Sequence, residues 1–135
     1  VSVGYSGTPL PQKLGIKEGS TVLLVGAPSD FDAVLAPLPD GVRVGARYRS
    51  ADIVLVFARD VREMEKGVAR ARAAIPSNGA IWLCWQKKAS GATSELQSRT
   101  VVMGHMEPLG LVDVKVVAIT EEWSGLKFVI RRELR

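Results

Sequence analysis

The segment best equipped for chemistry is Gln86-Lys87-Lys88-Ala89-Ser90-Gly91-Ala92-Thr93-Ser94. Two adjacent ammonium groups, beside the hydroxyls of Ser90 and Thr93 and a glycine-loosened backbone, can receive a phosphate or carboxylate through charge and loop amides. The same composition describes a solvated loop, and that bland reading is preferred for the segment as a whole. Arg59 follows the apolar run Ile53 to Ala58 and could join the lysines, or pair with Asp60 or Glu63 at the surface. Glu122 and Trp123 end a third candidate stretch. Glu121 and Glu122 are adjacent, and on extended backbone neighbours point to opposite faces, so they make a poor acid and base pair. Trp123 reads as a turn residue that caps a crevice or covers the end of a sheet. His105, the single histidine, has no Ser, Cys or carboxylate partner at an informative spacing and reads as a helix C-terminal residue. Cys84 lies within Ala80 to Trp85 (AIWLCW) and reads as an inert core thiol. One cysteine excludes an internal disulfide and a Cys-rich zinc site. No catalytic constellation emerges.

Charge narrows the partners. The chain of 135 residues is 47% hydrophobic and 24% charged, with a net charge of +4. Residues 42–72 carry eight basic and four acidic side chains, and 125–135 carry four basic and one acidic. The excess is therefore local. Arg62, Lys66 and Arg70 share one helical face, but Glu63 and Glu65 interrupt it and no aromatic residue is interleaved, which disfavours nucleic acid. The apolar runs are far short of the ~20 residues a membrane-spanning helix needs. Residues 1–19 are polar and punctuated by Gly and Pro, unlike a signal peptide. A single domain over 1–135 in the cytoplasm is expected, with 1–13 an irregular lead-in that can form a short helical turn around Pro11 to Leu14.

The elements that must position these residues follow from periodicity. Thr21 to Val25, Ile53 to Phe57 and Ala80 to Trp85 are apolar on both faces, as central parallel strands are. Ser29 and Asp32 resemble a helix start, and Pro37 and Pro39 keep that helix short. Val42 to Tyr48 is separated from Asp52 by so few residues that it reads as a short edge element or one arm of a hairpin. Asp60 and Glu63 open an amphipathic helix ending near Ile75, with Met64, Val68, Ala71 and Ile75 on one face. Ser94 and Gln97 read as capping a helix to about Gly104 or His105. Leu111 to Ile119 and Leu126 to Arg132 alternate around the connection TEEWSG and read as a hairpin. The sum is an α/β fold with a mostly parallel central sheet, flanking helices and a C-terminal antiparallel hairpin. Val42 to Tyr48 or the hairpin could pair between copies in a homo-oligomer.

Leu14-Gly-Ile-Lys-Glu-Gly-Ser-Thr-Val-Leu-Leu-Val-Gly26 resembles the opening of Rossmann-like class I methyltransferases. Separately, Gly4-Tyr-Ser-Gly-Thr-Pro-Leu10, Trp85-Gln-Lys-Lys-Ala-Ser-Gly91 and Trp123-Ser-Gly-Leu-Lys-Phe128 resemble segments of a small bacterial family catalogued as a domain of unknown function. The first resemblance implies S-adenosylmethionine as cofactor, which needs close backbone approach after the first strand and an acidic residue after the second. Here Gly26 is followed by Ala27-Pro28-Ser29-Asp30, and Arg43, Arg47 and Arg49 stand where the acid is expected. No cofactor is therefore expected. The sequence points to a non-catalytic, methyltransferase-like domain. It would bind a small anion or a protein partner at the strand carboxyl ends, through Arg59, Lys87, Lys88, Ser90, Thr93, Glu122 and Trp123. The alternatives are an enzyme with an atypical S-adenosylmethionine or nucleotide site using Lys87, Lys88 and Glu122, and a weak nucleic-acid binder.

Overall fold

Strands that are apolar on both faces need cover on both faces, and this requirement organises the chain. A computed structural model describes residues 7–135. The segment Gly4 to Ser6 of the glycine-tyrosine motif and the first part of the expected lead-in lie outside the described residues. A short helix α1 (Leu10–Lys13) precedes β1 (Thr21–Val25), α2 (Phe31–Leu35), β2 (Arg43–Gly45), β3 (Ile53–Phe57), α3 (Val61–Ala74), β4 (Ala80–Gln86), α4 (Arg99–Met106), β5 (Leu111–Ala118) and β6 (Trp123–Ile130). The strands form one sheet in the order β2-β1-β3-β4-β6-β5. The first four are mutually parallel, whereas β6 runs antiparallel to both β4 and β5.

Alternation along the strands divides the core in two. Val54 and Val56 of β3, Ile81 and Leu83 of β4, and Leu126, Phe128 and Ile130 of β6 pack against Met64, Val68 and Ala71 of α3 and Val102 and Met106 of α4. On the other face Ile53, Leu55 and Phe57, with Trp82 and Cys84, meet Leu10 and Leu14 of the α1 segment and Phe31 and Leu35 of α2. Trp82 and Trp85 thus serve opposite faces. The buried Trp82 indole donates to the Leu14 carbonyl at 3.1 Å, so its one polar atom keeps a partner. Burial pushes the Cys84 thiol far up, which keeps it protonated and inert.

Local signals explain the helices. The Asp60 carboxylate accepts from the Glu63 amide at 2.8 Å and caps α3. Gly67 lets α3 approach the sheet, since a Cβ there would stand 2.5 Å from Val56 Cγ1. Ser94 caps only a one-turn 3-10 segment, Glu95–Gln97, and Ser98 caps α4. The expected box fails because the Gln97 amide is drawn away to the Gln86 and Ala92 carbonyls, at 2.9 and 3.0 Å. The expected start at Ser29 moves as well: Asp30 occupies the cap of α2 with φ of 61° and no side-chain cap bond.

The hairpin option for Val42 to Tyr48 is overturned, and the edge option holds. β2 is parallel to β1, with β3 on the far side of β1. Only residues 46–52 make the return. A link of that length reaches roughly 23 Å fully extended, ample for two strand spacings of about 10 Å together and the short length of β2. Arg70 pins the link by donating to the Ala46 carbonyl at 2.6 Å. Trp123, expected in a turn, is the first residue of β6 in register with Gln86. No helix among the described residues is long and apolar enough to cross a membrane.

Candidate functional site

β1 leads to β2 on one side and the chain then returns to β3 on the other, so the order of the sheet reverses between β1 and β3. In open α/β sheets ligands bind outside the carboxyl ends at such a point. The segments that meet there are Gly26 to Asp30 after β1, Arg59 and Asp60 after β3, and Gln86 at the end of β4 with Lys87 after it, with Glu122 and Trp123 arriving from the antiparallel hairpin.

An aromatic column carries the site. Phe31 of α2 meets Phe57 of β3 edge to face at 4.7 Å, and Phe57 meets Trp123 at 5.1 Å and 83°. The Arg59 guanidinium lies over the Trp123 ring, 5.3 Å from its centroid. Trp123 is 3% exposed, so it is a buried support for the cation and no open stacking platform. Arg59 is anchored at its backbone too, since its amide donates to the Glu63 carboxylate at 2.8 Å and its carbonyl accepts from Ser94 Oγ at 2.9 Å. Its guanidinium stands 3.6 Å from Glu63 Oε1, with both side chains about half exposed. That exposed pair is worth at most about 1 kcal/mol, leaving the fork available to a better acceptor.

The remaining candidates divide. Glu122 accepts from the Gln86 amide at 2.8 Å, and its carbonyl accepts from the Lys87 amide at 2.8 Å, which fixes the β4 end against the hairpin. Glu121 is exposed. Lys87 is half-buried and Lys88 exposed, and neither has an ion-pair partner among the described residues. The Ser90 hydroxyl donates to the Lys87 carbonyl at 2.7 Å, so it closes its own turn. Thr93 is exposed and makes no hydrogen bond among the described residues. The structure therefore gathers Arg59, Glu122, Trp123 and the Lys87 backbone, and leaves Lys88, Ser90 and Thr93 on the outer loop. Sequence reasoning missed Ser94 and Gln97 as the clamps that tie this loop to β3 and β4. Their capping spacing concealed that use.

The loop after β1 is partly committed to its own contacts. Gly26 has φ of +68°, and a Cβ there would stand 2.7 Å from the Phe57 carbonyl oxygen. Its missing side chain is required by β3. Of the first α2 amides, Phe31 donates to the Pro28 carbonyl at 3.2 Å, and Ala33 to the Asp30 carbonyl at 3.0 Å and to Asp32 Oδ1 at 3.1 Å. After β2, Ala46 and Arg47 offer no carboxylate.

The basic face of α3 is partly committed, with Arg70 on the Ala46 carbonyl. His105 lies in the last turn of α4, which runs one residue further than expected, and gains a partner that sequence spacing hides, Glu65 of α3 at 3.5 Å.

Solved structures supply a fold-level comparison. The fibrillarin pre-rRNA processing protein of Methanococcus jannaschii superimposes with a TM-score of 0.66 over 95% of this chain and 71% of that chain, at 12% identity. The N-methyltransferase NodS of Bradyrhizobium japonicum gives 0.56 over 95% of this chain and 100% of its own, at 14% identity. NodS in complex with S-adenosyl-L-homocysteine gives 0.55 over 91% and 88%, at 15%. The fold is methyltransferase-like. No protein-family model and no curated protein matches the chain. At these identities the likeness fixes the architecture and leaves function to the site.

Proposed function

We propose that this methyltransferase-like domain transfers no methyl group and binds a small anion, a phosphate or carboxylate, at the strand carboxyl ends. The observation that carries the reading is the Arg59 guanidinium held over Trp123 at 5.3 Å at the topological switch point. A guanidinium offers a planar fork of donors to a bidentate oxyanion. The buried Trp123 ring supports that fork, and the Glu63 and Ser94 contacts fix the Arg59 backbone that carries it, which lowers the ordering cost of binding. Lys87 adds charge from the neighbouring strand end. Membership of the small bacterial family suggested by the three quoted segments belongs to this same reading, as does a cytoplasmic setting.

The residues present do not fit S-adenosylmethionine. Gly26 faces a backbone carbonyl at a distance that strand packing requires, Pro28 supplies no amide, and Asp30 and Asp32 place carboxylates beside the first α2 amides. The second reading is an atypical cofactor site, and what favours it is the similarity to NodS in its S-adenosyl-L-homocysteine complex.

The anion reading is tested by residue-resolved NMR titration with inorganic phosphate. Saturable shifts at Arg59, Lys87 and the Trp123 indole, lost in Arg59→Gln, support it. A titration that moves none of these resonances overturns it.

A further inference from the structure

The opposite end of the sheet holds an arrangement that the carboxyl-end site does not use. A cavity of about 460 Å³ opens there between the α1-β1 link and the β3 and β4 starts, lined among others by Lys17, Glu18, Ser20, Asp52 and Lys127. Lys127 of β6 reaches over Gly15, where a Cβ would stand in ordinary contact with its Nζ, at 3.8 Å. Lys115 of β5 is the cross-strand Cα partner of Lys127. Directly opposed residues on an antiparallel pair share a face with Cβ atoms roughly 5 Å apart, and like charges so placed are destabilising. A fold gains nothing from that pair. Burial, then the charges of Lys115 and Lys17, lower the pKa of Lys127. Among the described residues none of the three ammonium groups lies within ion-pair distance of a carboxylate, and residues 1–6 contain no acidic side chain.

Lys17 and Lys127 line this polar cavity and Lys115 stands opposite Lys127 on the sheet, so three cations without an ion-pair partner among the described residues form an arrangement that a polyanionic group would complete. Glu18 and Asp52 stand on the same lining and would repel a bare anion along their side. They are suited to hydroxyl donors instead: one Asp52 oxygen takes the Thr21 amide at 2.8 Å, and the other has no hydrogen-bond partner among the described residues. We propose that this amino-end cavity binds a phosphorylated polyol, with Lys17, Lys115 and Lys127 on the phosphate and Asp52 and Glu18 on the hydroxyls. The site is independent of the carboxyl-end reading and lies at the far end of the strands from it.

The test is a residue-resolved NMR titration of the full chain with ribose 5-phosphate and, separately, inorganic phosphate. Saturable shifts at Gly15, Lys17, Gly79 and Lys127 are expected, with ribose 5-phosphate binding roughly fivefold tighter because it adds hydrogen bonds. Lys127→Gln and, as the more exposed change, Lys115→Gln should each weaken binding by roughly tenfold or more. Both variants should leave the unliganded melting temperature unchanged or raised, whereas a merely structural lysine would lower it. Absent shifts at the amino end, unchanged affinity in both variants, or equal affinity for the two probes would overturn the proposal. Shifts confined to Arg59 and Lys87 would also overturn it while leaving the carboxyl-end reading intact.

Discussion

Gly26 and Phe57 approach so closely that a Cβ on Gly26 would stand 2.7 Å from the Phe57 carbonyl oxygen. The glycine that opens the loop after β1 therefore serves the packing of β1 on β3. That packing role accounts for a glycine here on structural grounds alone.

Replacing Gly26 by Ala should cost about 2 kcal/mol or more, since an L-residue at positive φ is strained and the contacted atom is backbone. Urea denaturation of Gly26→Ala checks this. A change within about 0.5 kcal/mol would mean that the glycine is free for another use.

Arg59 and Trp123 should separate binding from stability. Trp123→Ala removes the ring that supports Phe57 and should cost about 3–5 kcal/mol. Arg59→Gln, at an exposed site, should cost no more than about 1 kcal/mol while phosphate binding at the carboxyl ends is lost. Thermal melts alongside the phosphate titration distinguish the two.

Much of this was legible in the sequence. Doubly apolar strands, the Asp60 cap and the hairpin can be read because each depends on neighbours within a few residues. What escaped depends on distant partners. Gln97 looks like a capping residue until β4 supplies the Gln86 carbonyl, and Trp123 looks like a turn residue until its register with Gln86 extends β6. Lys115 and Lys127 are unremarkable in sequence, because the shift in register between Asp113 and Lys115 is what sets them opposite each other. Of the candidate residues, Arg59 and Trp123 lie at a strand end and a strand start, where the fold dictates position. Ser90 and Thr93 lie on a loop whose conformation is decided by its own turn.

Arg70 offers a test of the short return from β2 to β3. Arg70→Ala removes the donor to the Ala46 carbonyl and should cost about 1 kcal/mol, the typical net value of one hydrogen bond. Lys66→Ala, on the same helix, should fall within about 0.5 kcal/mol. Paired urea titrations of the two variants compare them directly.

The lysine cluster predicts the sign of a pH effect. In the folded chain burial and the charges of Lys115 and Lys17 hold Lys127 below its ordinary value of 10.5, while the unfolded chain retains that value. Glu18 and Asp52 stand on the same cavity wall as Lys127. The unfolded chain thus binds more protons in the window just below 10.5, and stability contributed by this group rises as the pH climbs through it. The difference in denaturation midpoint between the native chain and Lys127→Gln should therefore move in favour of the native chain with rising pH. A difference that is flat, or moves the other way, contradicts the unpaired cluster.

On the proposed reading, the loop after β1 of this methyltransferase-like sheet accepts no S-adenosylmethionine. Calorimetric titration of the chain with S-adenosyl-L-homocysteine tests it most directly. Absence of saturable binding up to a ligand concentration of about 1 mM is the predicted result, and a dissociation constant on the order of 1–10 μM would contradict the account.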